Sequence, residues 1–186
     1  LISRCQKIKL PPIENKAISD ALEKMGVNKN QAQIIQHGKG SWRKVLKNIS
    51  EKEEKIKFEK SLIEYLKICF QIKQSKKAII DLFNWSDSIS SMNREEQKTF
   101  VQYILEVTRQ ALFVSYRADQ IVDFQPLAGL ELKNLSPHVH SKNIQEITTL
   151  LEETIYFLER NANPKILFSY FSIALARELN IIEQPS

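Results

Sequence analysis

The sequence predicts an all-α protein, with a small three-helix unit followed by a larger bundle of about five helices. Two observations carry that expectation. Gly and Pro are scarce, four and six in 186 residues, whereas Leu, Lys, Glu, Gln and Ala, which favour helix, are plentiful. From Ala17 onward apolar residues recur at steps of three and four, the period of one helical face, rather than at steps of two. A chain of 186 residues can bury a sizeable core, as one domain or as two small ones.

Each element can be justified in turn. The opening "LISRCQKIKLPPI" alternates Lys and Ile before Pro11-Pro12 and reads as the end of a strand. "ENKAISDALEKMG" sets Ala17, Ile18, Ala21, Leu22 and Met25 on one stripe, closed by Gly26. "NKNQAQIIQHG" runs from an Asn28 cap to Gly38, and "GSWRKVLKNIS" offers Ser41 as N-cap with Trp42, Val45, Leu46 and Ile49 on one face. Three such short helices need a neighbour to be stable. The charged "SEKEEKIKFEK" then places a domain boundary near residue 50, with the next helix starting inside it.

Beyond the boundary the helices lengthen. Leu62, Leu66, Cys69 and Phe70 mark one; Ile79, Leu82, Phe83, Ser86 and Ile89 mark another, ending in the Ser-rich "SDSISSMN". Asn93 is an expected N-cap with Glu95 and Glu96 in the first turn, ahead of Phe100, Ile104, Val107, Ala111 and Val114. Pro126, Gly129 and Pro137 imply a long loop with one short helical turn. Ile144, Ile147, Leu151, Ile155 and Leu158 resume the helical period. "NANP" supplies Asn163 as N-cap and Pro164 as the first helical residue of "KILFSYFSIALAREL". That last helix is apolar on more than one side and is expected to sit centrally.

The totals bound the function. The formal charge of +5 is unevenly placed: residues 1–50 hold ten Lys/Arg against three Asp/Glu, net +7, and the remainder is net −2. A basic N-terminal quarter fits either a phosphate-rich partner or a solvated surface. No apolar run approaches the roughly 18 residues of a membrane span. Cys5 and Cys69 are too far apart for a CxxC site and too few for a disulfide framework, so a reducing cytoplasm is the expected setting.

Few residues offer chemistry. "HGKGSW", His37 to Trp42, has the wrong spacing for a phosphate loop and follows a helix; Gly as C-cap and Ser as N-cap explains it. His138 and His140 lack a third ligand nearby and are expected to be solvated loop histidines, so no metal is expected. Glu95-Glu96 and Glu152-Glu153 point about 100° apart on helices and form solvated faces. From the residues alone, Arg4 either caps a neighbouring helix or lies on the surface, and Arg43 reads as an exposed surface cation.

The ordered motifs carry a resemblance. "LISRCQKIKLPPI" is similar to the junction in clamp-loader subunits of the AAA+ class, where Ser-Arg-Cys ends the ATPase domain and leads into a three-helix lid. "ENKAISDALEKMGV" looks like the first lid helix, and "NKNQAQIIQHGKGSWRKVLKNI" like the rest of the lid pattern. "NANPKILFSYFSIAL" resembles a helix near the end of the family's collar domain. Nearly the whole chain is covered as lid plus collar.

The resemblance implies several things. The chain is expected to be a C-terminal fragment, with residues 1–50 as the end of an ATPase-domain strand plus lid and 51–186 as a helical oligomerisation collar. Arg4, flanked by Ser3 and Cys5, matches the arginine finger presented to ATP on the adjacent subunit. Arg43 matches the sensor-2 arginine of ATP-binding subunits. No cofactor is implied for the fragment itself, ATP being held by neighbours. The implied partners are the other subunits of a pentameric ring and, through it, the sliding clamp and primer–template DNA. A different reading takes the basic residues Lys39, Arg43, Lys44 and Lys47 as an independent nucleic-acid-binding surface.

Overall fold

The computed structural model of the chain describes residues 13–24, 41–72, 75 and 77–181. These contain seven α-helices and no strand, as the composition and periodicity predict. They are α1 (Asn15–Lys24), α2 (Trp42–Gln71), α3 (Lys77–Ser90), α4 (Arg94–Ser115), α5 (Leu132–Leu135), α6 (Ile144–Glu159) and α7 (Pro164–Leu179). The strand expected in the first dozen residues and the helix expected over 28–38 lie outside the described residues. The chain divides into two compact units, Leu1–Glu54 and Lys55–Ser186.

In the first unit Ile18 and Leu22 of α1 and Val45 and Ile49 of α2 form a small buried cluster, with Trp42 packed on it. The expected stripe is narrower than its apolar letters: Ala17 and Leu46 are exposed.

One expectation is corrected at α2. "GSWRKVLKNIS" and the following charged stretch are a single helix without a break near residue 50. The reason lies in the charged residues themselves. Glu, Lys and Ile are sound helix formers, no Gly or Pro interrupts, and Glu51/Lys55 and Glu53/Lys57 stand at the favourable i,i+4 spacing.

The second unit is built around the C-terminal part of α2. Its Phe58, Leu62, Tyr65, Leu66 and Cys69 are buried, and polar side chains tie it to three neighbours. Tyr65 Oη donates to the Ser172 carbonyl of α7 at 2.8 Å. Trp85 Nε1 of α3 donates to the Ser61 carbonyl at 3.0 Å and shares its hydroxyl oxygen at 3.1 Å. Tyr103 Oη of α4 donates to Glu59 at 3.3 Å. Rings follow the same path: Tyr65–Trp85 centroids lie 4.5 Å apart, Trp85–Phe100 6.0 Å and Phe100–Phe58 5.3 Å. Offset and tilted pairs of this kind add roughly 0.5–1.5 kcal/mol each beyond burial.

Two stripes differ from the pattern read in the sequence. On α3 the buried residues are Ala78, Leu82, Trp85, Ser86 and Ile89, so Ile79 and Phe83 turn outward. The indole nitrogen finds acceptors on α2, which lets the largest side chain of the helix go inside. On α7 Phe168, Phe171, Ser172, Leu175, Ala176 and Leu179 are buried, while Ile166, Tyr170 and Ile173 are exposed. This helix is therefore buried along one side and exposed along the other.

Helix ends are closed locally. Asn93 accepts from the Glu96 amide at 3.0 Å while Glu96 accepts from the Asn93 amide at 3.1 Å, a reciprocal capping box. Asn163 accepts from the amides of Lys165 and Ile166, with Pro164 at the first helical position. Both caps agree with the sequence reading. Gln97 Nε2 donates to the Ser90 and Met92 carbonyls at 3.0 and 2.9 Å, and Arg94 reaches the Leu158 and Ala162 carbonyls at 2.8 and 3.2 Å. The long loop holds two short 3-10 turns, Asp119–Ile121 and Ser136–His138, with α5 between them.

Candidate functional site

Ser3, Arg4, Cys5 and His37 lie outside the described residues, as does Lys39. Arg43 sits in the first turn of α2 and is exposed. The side chains of Lys44 and Lys47 are likewise outside what is described.

His140 is buried and His138 half-buried, and both are held by hydrogen bonds, which corrects the reading of both as solvated. His138 stacks on Phe70 at 4.2 Å between ring centroids, and its Nδ1 lies 2.9 Å from the Leu179 carbonyl. His140 is buried; its Nε2 lies 2.9 Å from the Ile181 carbonyl, and its Nδ1 accepts from the Lys142 amide at 3.3 Å. Carbonyls only accept, so His138 carries its proton on Nδ1 and His140 on Nε2. Asn143 completes the set, accepting from the His140 amide and donating to the His138 and Glu178 carbonyls. Together these side chains satisfy the Leu179 and Ile181 carbonyls at and just beyond the end of α7 and add a second donor to the Glu178 carbonyl, which already accepts the Ile181 amide. The His-x-His spacing serves a C-terminal cap. Among the described residues no group of three or more His, Cys, Asp or Glu side chains is placed to hold a metal.

A second polar centre escaped the sequence reading. Glu59, 1% exposed, receives the amides of Leu127 at 2.8 Å on Oε2 and of Ala128 and Leu130 at 2.8 and 2.9 Å on Oε1. Tyr103 adds its hydroxyl. Gly129 stands between the two amides with φ +93°, a conformation that L side chains rarely adopt, and so turns both toward one oxygen. Burial, with the Glu59 charge adding to it, pushes the Tyr103 hydroxyl well above its usual range, so it remains a donor. The arrangement pins the loop onto α2.

Cys69 is no nucleophile. Burial pushes its thiol up to about 12, against a smaller lowering by the Tyr65 hydrogen bond. The acid pairs are accounted for on the surface: Glu95 meets Lys98 at 2.8 Å and Glu96 meets Lys57 at 3.6 Å, besides its capping role, while Glu152 and Glu153 are exposed. The shallow groove between α6 and α7 brings Glu146, Glu153, Tyr170 and Arg177 to its walls, but Arg177 is already paired with Glu178 at 2.9 Å.

A surface of exposed apolar residues also stands out. On α3, Ile79, Ile80 and Phe83 are 48, 62 and 42% exposed; on α7, Ile166, Tyr170 and Ile173 are 70, 63 and 49% exposed. The two helices pack side by side. Lys165 at the start of α7 meets Asp87 near the end of α3 at 3.3 Å, so they run antiparallel. Among the described residues nothing covers these six large apolar side chains, which stand on a helix pair whose other side closes the core. Apolar patches of this extent on soluble domains mark contact surfaces. No described helix is long and apolar enough to cross a membrane. Comparison with protein-family models, with curated proteins and with solved structures gives no match for the chain.

Proposed function

We propose that the chain is the lid-and-collar part of a clamp-loader subunit, the delta-prime subunit of bacterial DNA polymerase III in its Bacteroidetes-type form. In this reading it works in the cytoplasm, helps close a pentameric ring with gamma/tau and delta subunits, and supports loading of the sliding clamp onto primer–template DNA. It contributes an arginine finger rather than a complete catalytic centre: Arg4, held between Ser3 and Cys5, reaches ATP on a neighbouring subunit. A guanidinium is planar, permanently charged and matched to phosphate oxygens, which suits it to offset charge on a transferring γ-phosphate.

The observation that carries the reading is the pairing of ordered motifs with a scaffold-like unit. Ser3-Arg4-Cys5, the lid pattern and "NANPK" stand in the family's order. The unit containing the last of these exposes the apolar face of α3 and α7, as a part made for assembly does. The gamma/tau ATPase subunit is a second reading, favoured by Arg43, which matches the sensor-2 arginine in the family resemblance and is exposed at the start of α2. A third, an independent nucleic-acid-binding module, draws on the net +7 of residues 1–50.

The test is incorporation. The parent protein, mixed with the ATP-binding and delta subunits of the same loader, is expected to enter a pentamer in one copy, read by native mass spectrometry. Two or three copies favour gamma/tau. No entry, together with salt-sensitive DNA binding by the chain alone, supports the nucleic-acid module and ends the clamp-loader reading.

A further inference from the structure

We propose that the outer face of α3 and α7 also pairs with a second copy of this chain, forming a four-helix seam between the two. The inference rests on reading that face as an assembly surface, but its partner is the chain itself rather than a ring neighbour.

The area argues first. Taking about 200 Å² for a fully exposed Ile, Phe or Tyr, the six exposures amount to roughly 650 Å² per chain. That is at or above the largest apolar patch of most monomers and close to the roughly 800 Å² per partner of a standard interface. A polar rim of ordinary width supplies the difference.

Shape argues next. Ile166, Tyr170 and Ile173 step by four and three along α7, and Ile79 or Ile80 and Phe83 step by four or three along α3. Two antiparallel helices with such stripes present ridges and grooves that fit another pair of the same kind at a shallow crossing angle. The face is thus its own complement.

Charge selects the arrangement. With the two-fold axis running along the helices, each α7 lies antiparallel to α3 of the second copy. Lys165, which already meets Asp87 of its own chain at 3.3 Å, is then level with Asp87 of the second copy. Positive and negative charges alternate around that end of the seam, which opposes registers that bring like charges together. Because the same apolar side chains serve both contacts, self-pairing competes with any other partner of this face.

Sedimentation velocity of the 186-residue chain from about 1 to 200 µM tests this. A dimer with a dissociation constant of tens of micromolar is expected from an interface of about this size. Ile80→Asp and Ile166→Asp each change an exposed side chain and should raise that constant about 30-fold or more. Circular dichroism checks that the helices persist, and Ile80→Ser with Ile166→Ser serves if either Asp variant loses them. Lys165→Asp should weaken pairing and Lys165→Asp with Asp87→Lys should restore it. A chain that is monomeric throughout, or a dimer indifferent to the substitutions at Ile80 and Ile166, overturns the proposal. A monomer whose parent still enters the ring overturns self-pairing alone; a dimer through this face whose parent never enters it supports self-pairing while ending the clamp-loader reading.

Discussion

Glu59 is a buried carboxyl group held by three amides and one hydroxyl. Hydrogen bonds to a charged acceptor are worth roughly 1.5–3 kcal/mol, and leaving buried donors unmet costs comparably. Glu59→Gln keeps the shape but turns an NH₂ toward groups that can only donate or that are already donating. The expected loss is about 2–4 kcal/mol of unfolding free energy in a urea titration; an unchanged midpoint would contradict the role given to this carboxylate. Nothing in the linear pattern singles Glu59 out. It stands among look-alike Glu and Lys residues, and its amide partners are 68, 69 and 71 positions away. The histidines are illegible in the sequence for the same reason: Leu179 and Ile181 lie 41 positions beyond their partners, and only folding brings the end of α7 to that loop.

Elements divide into legible and illegible features by the range of the interaction that decides them. The caps at Asn93 and Asn163 are settled within three residues and could be read directly. The buried stripe of α3 could not. Ile79, Ile80, Leu82, Phe83 and Trp85 support two overlapping stripes, and the choice is made by Ser61 on another helix. The end of α4 holds a further feature of this kind. The amides of Arg117 and Ala118 bond to the carbonyls of Val114 and Phe113, which closes the helix as a Schellman motif with Arg117 at φ +57°. Asn161, at φ +60°, fills the equivalent place after α6, where Asn is at ease. A long side chain at such a position costs on the order of 1 kcal/mol relative to Gly. Arg117→Gly should therefore stabilise the chain by about 0.5–1 kcal/mol in the same titration, and a destabilised variant would show that the exposed guanidinium makes a contact worth more than the strain.

At the scale of the whole molecule, helical class was legible because composition and period agree along the chain, and the continuity of α2 was not because charge was read as punctuation. The two-sided apolar character of α7 was visible in the sequence. One side closes the core with α2, and the other joins α3 in an outward face that no described residue covers. Under the proposed function, the chemistry falls to Arg4 acting on a neighbouring subunit. The most direct measurement is ATP turnover by the reconstituted ring carrying Arg4→Ala. The account predicts an intact pentamer whose turnover at the neighbouring site falls by on the order of 10³ or more. An intact ring with undiminished turnover would contradict it.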